Sequence, residues 1–407
     1  MATNTVLTAS MITREAVRLW KNTNAFIKMI DHQYDNRFAQ SGAKIGTALS
    51  IRLPNDYIVR DGATASAQNT VETNTTLTVA SQKGVDVEFS SLERTMRLDD
   101  FSQRVLAPML NNLTGEVALQ VMSGVEAGAA NIVSNVSAGA IIAPTAETWL
   151  LGGAKLDENS VPRGAGRSAI IDPISQARAV ATLSALFNPS GKISGQYETG
   201  EMVNALGFDW MMDQTAIKHT TGNLGGTLTV NGASQTGLTL TVNASMTGGL
   251  NKGDMITIAG VFAVNRITKE TTGSLRQFVV TANVASGALS IPIYPAIVPL
   301  SGGNKVAYQT VVASPANAAA YALVGSAAAE VYRKNIVFHK DAVTMATADL
   351  EMPGGVHEVA REMFDGVSMR FLSQYSASTD QFLSRLDVLF GYVWVRPEWV
   401  CVVADKI

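Results

Sequence analysis

The stretch Leu98–Ala127, LDDFSQRVLAPMLNNLTGEVALQVMSGVEA, constrains the fold most, because it reads as the longest helix in the chain. Asp99 and Asp100 stand at its start, where a carboxylate accepts from free N–H groups and favours the helix dipole. Pro108 lacks an N–H and would clash with the preceding turn in a helix interior. So either a short helix ends near Ala107 and a second starts with Pro108 at its first position, or one helix kinks there. From Pro108 to Ala127 the span is roughly 30 Å at about 1.5 Å per residue. Val105, Met109, Leu113, Val117, Val121 and Val125 recur every four residues. The helical period is about 3.6, so this stripe drifts around the cylinder and meets different neighbours along its length.

A chain of 407 residues is long for one core and predicts two or three domains. Its net charge of −3 argues against a strongly basic nucleic-acid binder. Charged residues make up only 16%, well below the usual quarter, so a lone copy would be sticky and its surface is expected to be covered by further copies. No run of about 18 apolar residues predicts a membrane-spanning helix, and no signal peptide is visible. Cys401 is the single cysteine, which excludes an internal disulfide and fits a reducing compartment.

In chain order, Met1–Ser10 is polar, and Ile12–Ile30 reads as an amphipathic helix with Ala16, Leu19, Trp20, Phe26, Ile27 and Ile30 on its apolar side. Ile45, Leu49, Ile51 and Leu53 predict a strand stopped by Pro54. Asp61–Thr76 has little apolar content, and Leu77–Phe89 returns as a strand in which Val85, Val87 and Phe89 alternate with Asp86 and Glu88. Ala48–Phe89 is thus expected to be a two-stranded excursion with a polar tip, lying on another subunit because an isolated pair of strands is marginal in water. After the long helix the chain is glycine- and alanine-rich to about Gly166. Ser168–Asp172 predicts a buried strand, Pro173–Leu186 a helix, and Gln196–Leu206 a second short one.

At Thr221 the composition changes to Thr, Val, Gly and Asn in short alternating runs. Thr227–Val230, Leu238–Val242, Met255–Ile258, Phe278–Thr281 and Ala288–Ile291 predict strands of a small β-barrel over Thr221–Thr310, inserted within another domain. Asn317–Tyr332 reads as an alanine-rich helix, and Asn335–Thr344 as a strand and turn. Asp365–Tyr375 and Arg385–Val395 are the clearest strands, with Leu386, Val388, Phe390, Tyr392 and Trp394 on one face.

Chemistry-bearing motifs are sparse. His32, His219, His339 and His357 show no ligand spacing, and no GxxxxGK[ST] phosphate loop is present. Ser168 and Ser175 lack a nucleophile-elbow context. Asp254, in the turn Asn251–Asp254, is expected to bond local backbone rather than a metal. Cys401 lies in the apolar run VCVVA and reads as a buried small hydrophobe with no covalent role. No catalytic residue, cofactor or metal is expected, and the chain does not read as an enzyme.

Several segments taken together carry a resemblance. ITREAVRLW at Ile12–Trp20, QYDNRFAQSGAKIGTALSIRLPNDYIVRDG at Gln33–Gly62, SQKGVDVEFSS at Ser81–Ser91 and LDDFSQRV at Leu98–Val105 resemble the N-terminal part of phage coat proteins. KGDMITIAGVFAVNRITKETTGSLRQFVV at Lys252–Val280 resembles their inserted β-domain, and FHKDAVT at Phe338–Thr344 with RLDVLFGYVWVRPEWVCVV at Arg385–Val403 resembles their C-terminal end. The family is the major capsid protein of short-tailed double-stranded DNA bacteriophages, the Salmonella-phage coat type.

The resemblance implies an α+β Hong Kong 97-type (HK97-like) capsid fold. Its parts would be an N-terminal arm (1–40), an extended loop with flanking strands (41–90), and a spine helix and peripheral domain (91–130, completed by 360–395). An axial domain (131–220 and 311–407) and the inserted barrel (221–310) would complete it. It further implies pentamers and hexamers of an icosahedral shell around packaged DNA that is touched only weakly and non-specifically. A scaffolding protein and a portal would take part, no membrane would be involved, and assembly would occur in the host bacterial cytoplasm. Arg60, Asp61, Thr64, Glu72, Arg104, Glu116, Lys269 and Arg276 are the expected subunit contacts. In the Salmonella-phage coat a long loop of the insert bridges capsomers across two-fold axes; here the connection is only Ala233–Gly237, too short to reach far. Contacts there would then come from the arm, the extended loop or Lys269–Leu275. The Thr/Asn/Gly-rich insert alone leaves one alternative, a tail or surface β-rich binding protein.

Overall fold

The computed structural model describes residues 13, 16, 25–32, 48–60, 62–65, 67–70, 72–90, 107–124, 128–164, 166–183, 204–325, 327–364 and 367–407. They belong to two compact units, Met1–Leu53 with Asn74–Val121 and Val343–Val395, and Pro54–Thr73 with Met122–Ala342 and Arg396–Ile407.

The first unit is built on the strand Gln381–Trp394, whose Leu386, Val388 and Phe390 are fully buried. One edge of it pairs with Val367–Ser376 and then with Val343–Ala348; the other pairs with Ser81–Ser90. Glu358–Phe364 extends the sheet beyond Val367–Ser376. Asp387 is buried in this sheet and accepts from Arg370 and Arg385, each at 2.7 Å. Opposite it stands Gly84, because a Cβ there would lie 2.3 Å from an Asp387 carboxylate oxygen.

The long helix runs Ala107–Ser123 with Pro108 in its first turn, where a missing N–H costs nothing. Leu98–Leu106, with Asp99 and Asp100, lies outside the described residues, as do Val125–Ala127. Two adjacent rows of the helix are buried, Met109/Leu113/Val117/Val121 and Leu110/Thr114/Ala118/Met122. The every-fourth-residue stripe is therefore one flank of a wider apolar face. On the exposed flank Glu116 pairs with Lys83 at 3.0 Å and Gln120 donates to Ser81 at 2.9 Å. Of the expected Ile12–Ile30 helix, Thr13, Ala16 and Ala25–Met29 are helical, Ile30 is a buried bend just past the helix end, and the rest lies outside the described residues.

The two-stranded excursion is corrected. Ala48–Arg52 pairs with Asn74–Thr78, but Ser81–Ser90 is a separate strand committed to Gln381–Trp394. The apolar residues Ile51, Leu77 and Val79 pack with Ala346, which anchors the short ladder at home.

In the second unit an eight-stranded sheet runs in the order Ala140–Ile142, Asn131–Ser137, Val400–Lys406, Val331–His339, Arg167–Ile171, Phe208–Met212, Asn204–Ala205, with Lys218–Thr220 paired to Val331–His339. Among the described residues, two α-helices longer than ten residues lie wholly within the same unit. Pro173–Leu183 begins with its proline, as expected. Ala146–Glu158 was not foreseen in the Gly/Ala-rich stretch. Thr145 and Thr148 cap it reciprocally, and Gly152 lets it approach the sheet so closely that a Cβ would touch Val337 and Val403 at 3.3 Å. The expected Gln196–Leu206 helix ends instead in the strand Asn204–Ala205; residues 184–203 lie outside the described set.

The insert is a five-stranded antiparallel sheet in the order Gly237–Thr241, Ser290–Ile297, Thr271–Val280, Met255–Val264, Tyr321–Leu323. Bridges Val230–Val242 and Thr229–Ala320 join its two edges, closing a small barrel. The core holds Leu240, Ile256, Ile258, Phe278, Val280, Ile291 and Ile293 and reaches past residue 310 to Val311 and Tyr321. The alanine-rich helix expected over Asn317–Tyr332 is thereby overturned. Tyr321, 2% exposed, fills the barrel, Leu323 pairs with Ile256, and Val331 opens the next strand. The gain from closing this core outweighs the helix preference of alanine. The short connection before Gly237 is tight: the Gln235 amide donates to Asn231 O at 2.7 Å and to Thr241 O at 2.9 Å.

Candidate functional site

The segment that follows Pro54 belongs to the second unit, and its first residues meet the tip of the insert hairpin formed by Met255–Val264 and Thr271–Val280. Within the turn between those strands, the Asn265 side chain accepts from the N–H groups of Ile267 at 2.9 Å and Thr268 at 3.1 Å, and its carbonyl accepts from Lys269 N at 2.9 Å. This fixes the directions of Arg266 and Lys269. Arg266 Nε donates to both oxygens of Asp56, at 3.1 and 3.3 Å, and its Nη1 donates to Glu398 at 2.7 Å. Lys269 Nζ adds a longer contact to Asp56 at 3.5 Å, and Tyr308 donates to Asn55 at 3.4 Å. Tyr294 donates to the second oxygen of Glu398 at 3.2 Å, and the Arg396 guanidinium lies 4.0 Å over the Trp399 ring.

Burial lowers the pKa of Arg266, but Glu398 and Asp56 outweigh it and hold the guanidinium above its usual range. For Lys269 the balance reverses: burial wins over Asp56 and the ammonium is pushed down. Tyr294 is pushed up by burial and then by Glu398. Arg276 is lowered by burial, which Glu398, Tyr294 and Glu158 only partly offset. Its Nε has no hydrogen-bond partner, and the residue borders a polar cavity of about 10 Å³ shared with Asn131, Lys155, Glu158 and Asn159.

The expected contact residues differ in exposure. Lys269 is 5% exposed and paired with Asp56, and Arg276 is 8% exposed. Arg60, Thr64 and Glu72 are exposed, and Arg60 donates to the carbonyls of Gly62 and Thr64. Glu116 is exposed and paired with Lys83. Asp61 and Arg104 lie outside the described residues. Sequence reasoning missed Asp56, Arg266, Tyr294 and Glu398. Only the pair Arg266 and Lys269, three residues apart in a hairpin turn, hinted at a cationic tip.

The remaining singled-out residues are structural. Asp254 accepts from Asn251 N at 2.7 Å and Gly222 N at 3.0 Å, the local backbone role expected of it, and also meets buried His219 at 2.8 Å. Cys401 is buried and its thiol is pushed up by that burial, which leaves little nucleophilic thiolate. Among the described residues no group of three His, Cys, Asp or Glu could hold a metal ion, and no helix is long and apolar enough to cross a membrane.

The family model described as "P22 coat protein - gene protein 5" matches residues 1–403. Among solved structures, the CUS-3 coat protein I-domain is 34% identical, covering 25% of this chain and 97% of its own, with a TM-score of 0.20. A Mycobacterium phage Che8 structure is 11% identical over 93% of this chain and 90% of its own, at a TM-score of 0.47. A capsid structure of the cyanophage P-SCSP1u is 11% identical over 89% and 84%, at 0.45. No curated protein matches the chain. With the family model running through residues 1–403, the chain belongs to the P22 coat protein family and is a major capsid protein of a bacteriophage shell.

Proposed function

We propose that this coat protein adopts an HK97-like arrangement and builds an icosahedral shell of pentamers and hexamers around packaged double-stranded DNA. In this reading residues 1–40 are the arm and 41–90 the extended loop. The spine and peripheral domain comprise 91–130 with 360–395, the axial domain 131–220 with 311–407, and the barrel is the insert. The observation that carries the reading is the loop tip. Gly62–Ala65, residues 67–70 and Glu72 are all exposed, and nothing apolar in them is buried at home. Such a segment becomes ordered and useful when a second copy covers it. Scaffolding and portal proteins would guide closure, and DNA would be met only through weak, non-specific contacts. The tight, Gln235-pinned connection supports two-fold contacts made by the arm or loop rather than by that part of the insert.

Replacing residues 62–73 by a short glycine linker tests this, because it spares Asn74, which pairs with Arg52. The shortened subunit should stay soluble and folded but fail to form stable shells, as read by sedimentation and electron microscopy. Loss of soluble folding, or normal shells, would refute the role given to the tip.

A further inference from the structure

We infer that Asp56, Arg266 and Lys269 hold the root of the extended loop on the insert of its own chain, so that the insert sets the direction in which the loop leaves for its neighbour. This rests on the loop-overlap reading above and adds a task for the insert within it. Three observations converge. Asp56 stands two residues past Pro54 and receives both Arg266, at 3.1 Å, and Lys269, at 3.5 Å. Arg266 is itself held by Glu398 at 2.7 Å, so the root is tied to the hairpin turn and, through it, to the turn Pro397–Trp399. One residue before Asp56, Asn55 accepts from Tyr308 at 3.4 Å, a second tie to the insert that uses no charge.

Beyond the root the loop is braced by itself. The Gln68 side chain spans the two sides, accepting from Ile58 N at 2.9 Å and donating to Ile58 O. Arg60 gathers the carbonyls of Gly62 and Thr64. On either side of Ile58, Tyr57 is 57% and Val59 91% exposed. A segment fixed at its base and braced across its middle loses little conformational freedom on binding, which is how preorganisation strengthens association. Single exposed ion pairs contribute little. Here Asp56 and Glu398 are about four-fifths covered and share one arginine, so the cluster acts as a unit.

Two measurements test the assignment. In Asn55→Cys/Tyr308→Cys the charged residues stay intact and native Cys401 is buried. Assembled shells treated with a short bismaleimide should then yield chains that run as monomers on a denaturing gel and carry the linked 55–308 peptide by mass spectrometry, and monomers without that link would overturn the proposal. A ladder of linked dimers and larger species would place the root on a neighbouring copy and overturn the proposal. Separately, Asp56→Asn should raise the subunit concentration needed for half-assembly by about tenfold, equivalent to about 1.4 kcal/mol, with the thermal midpoint of the free subunit unchanged. Assembly at the wild-type concentration would overturn the proposal. Failure of the underlying overlap reading shows up differently, as normal shells from the tip-shortened chain.

Discussion

The barrel and the eight-stranded sheet belong to the same unit and solve burial in opposite ways. The barrel's central cluster is apolar, with Leu240, Ile256, Phe278, Val280 and Ile291 all at 0% exposure, and the insert's buried charges, Asp254, Lys269 and Arg276, lie outside that cluster. The sheet's central strand Val331–His339 buries Arg333, Lys334, Asn335 and His339 among its apolar residues. Arg333, Lys334 and Asn335 have acquired partners from distant segments, whereas His339 meets its neighbour Asp341. Asn335 accepts from Asp172 N at 2.9 Å and donates to Ser175 at 3.1 Å; Ser175 in turn donates to Asp405 at 2.7 Å. Arg333 pairs with Asp172 at 3.0 Å, and Arg178 with Asp405 at 2.8 Å. The barrel is held by apolar area, which degrades gradually as atoms are removed. The sheet is held by area and by a network whose members are expensive to strand.

The largest expected effect separates the two. Asp405 is fully buried and serves Ser175 and Arg178 together. Asp405→Ala leaves the Ser175 hydroxyl without its acceptor and Arg178 with only the Lys406 carbonyl, and should cost about 3–5 kcal/mol, a large share of the ~5–15 kcal/mol that holds most domains. Urea unfolding of the free subunit reads it. A cost below about 1 kcal/mol would mean that water reaches the network and that the contrast with the barrel is false.

The same contrast explains which parts were legible beforehand. Apolar alternation marked the strands around Met255, Phe278 and Leu386, the run Ser168–Asp172 marked a buried strand, and Pro173 marked a helix start. Ala146–Glu158 escaped because Gly152 and Gly153 read as breakers, whereas they admit Val337, Val403 and Phe208 to the helix surface. Asn317–Tyr332 misled because alanine favours helix locally, while Tyr321 belongs to a core assembled from residues far earlier in the chain. The charge cluster was the least legible part. Lys269 and Arg276 look like surface cations until Asp56 and Glu398, more than a hundred residues away in sequence, are brought beside them. Family likeness supplied the assembly role, which no local pattern carried.

A smaller effect sharpens the barrel's side of the comparison. Ile291 is fully buried among apolar neighbours, so Ile291→Val removes one methylene and disturbs no polar group. Its expected cost is about 0.5–1.5 kcal/mol, and it should be the same at low and high salt. A salt-dependent cost, or one as large as that of Asp405→Ala, would show that the barrel depends on charge after all.

The smallest effect concerns acid. His339 lies in the polar-studded strand, 5% exposed, with Nδ1 accepting from Asp341 N at 3.4 Å and its ring edge-on to Trp399 at 5.3 Å. Burial holds its pKa below the ordinary value and outweighs the Asp341 carboxylate, with Lys340, Arg167 and Arg396 adding in the same direction as burial. The unfolded imidazole titrates near 6.5. Between that pH and the lower folded value, the unfolded chain binds a proton that the native chain refuses. Stability should therefore fall as pH drops below about 6.5, by at most about 1.4 kcal/mol per pH unit for this one group. His339→Gln removes the titration and should flatten that part of the pH profile while leaving the effect of Ile291→Val unchanged. An equally steep acid slope in His339→Gln would assign the sensitivity to other groups.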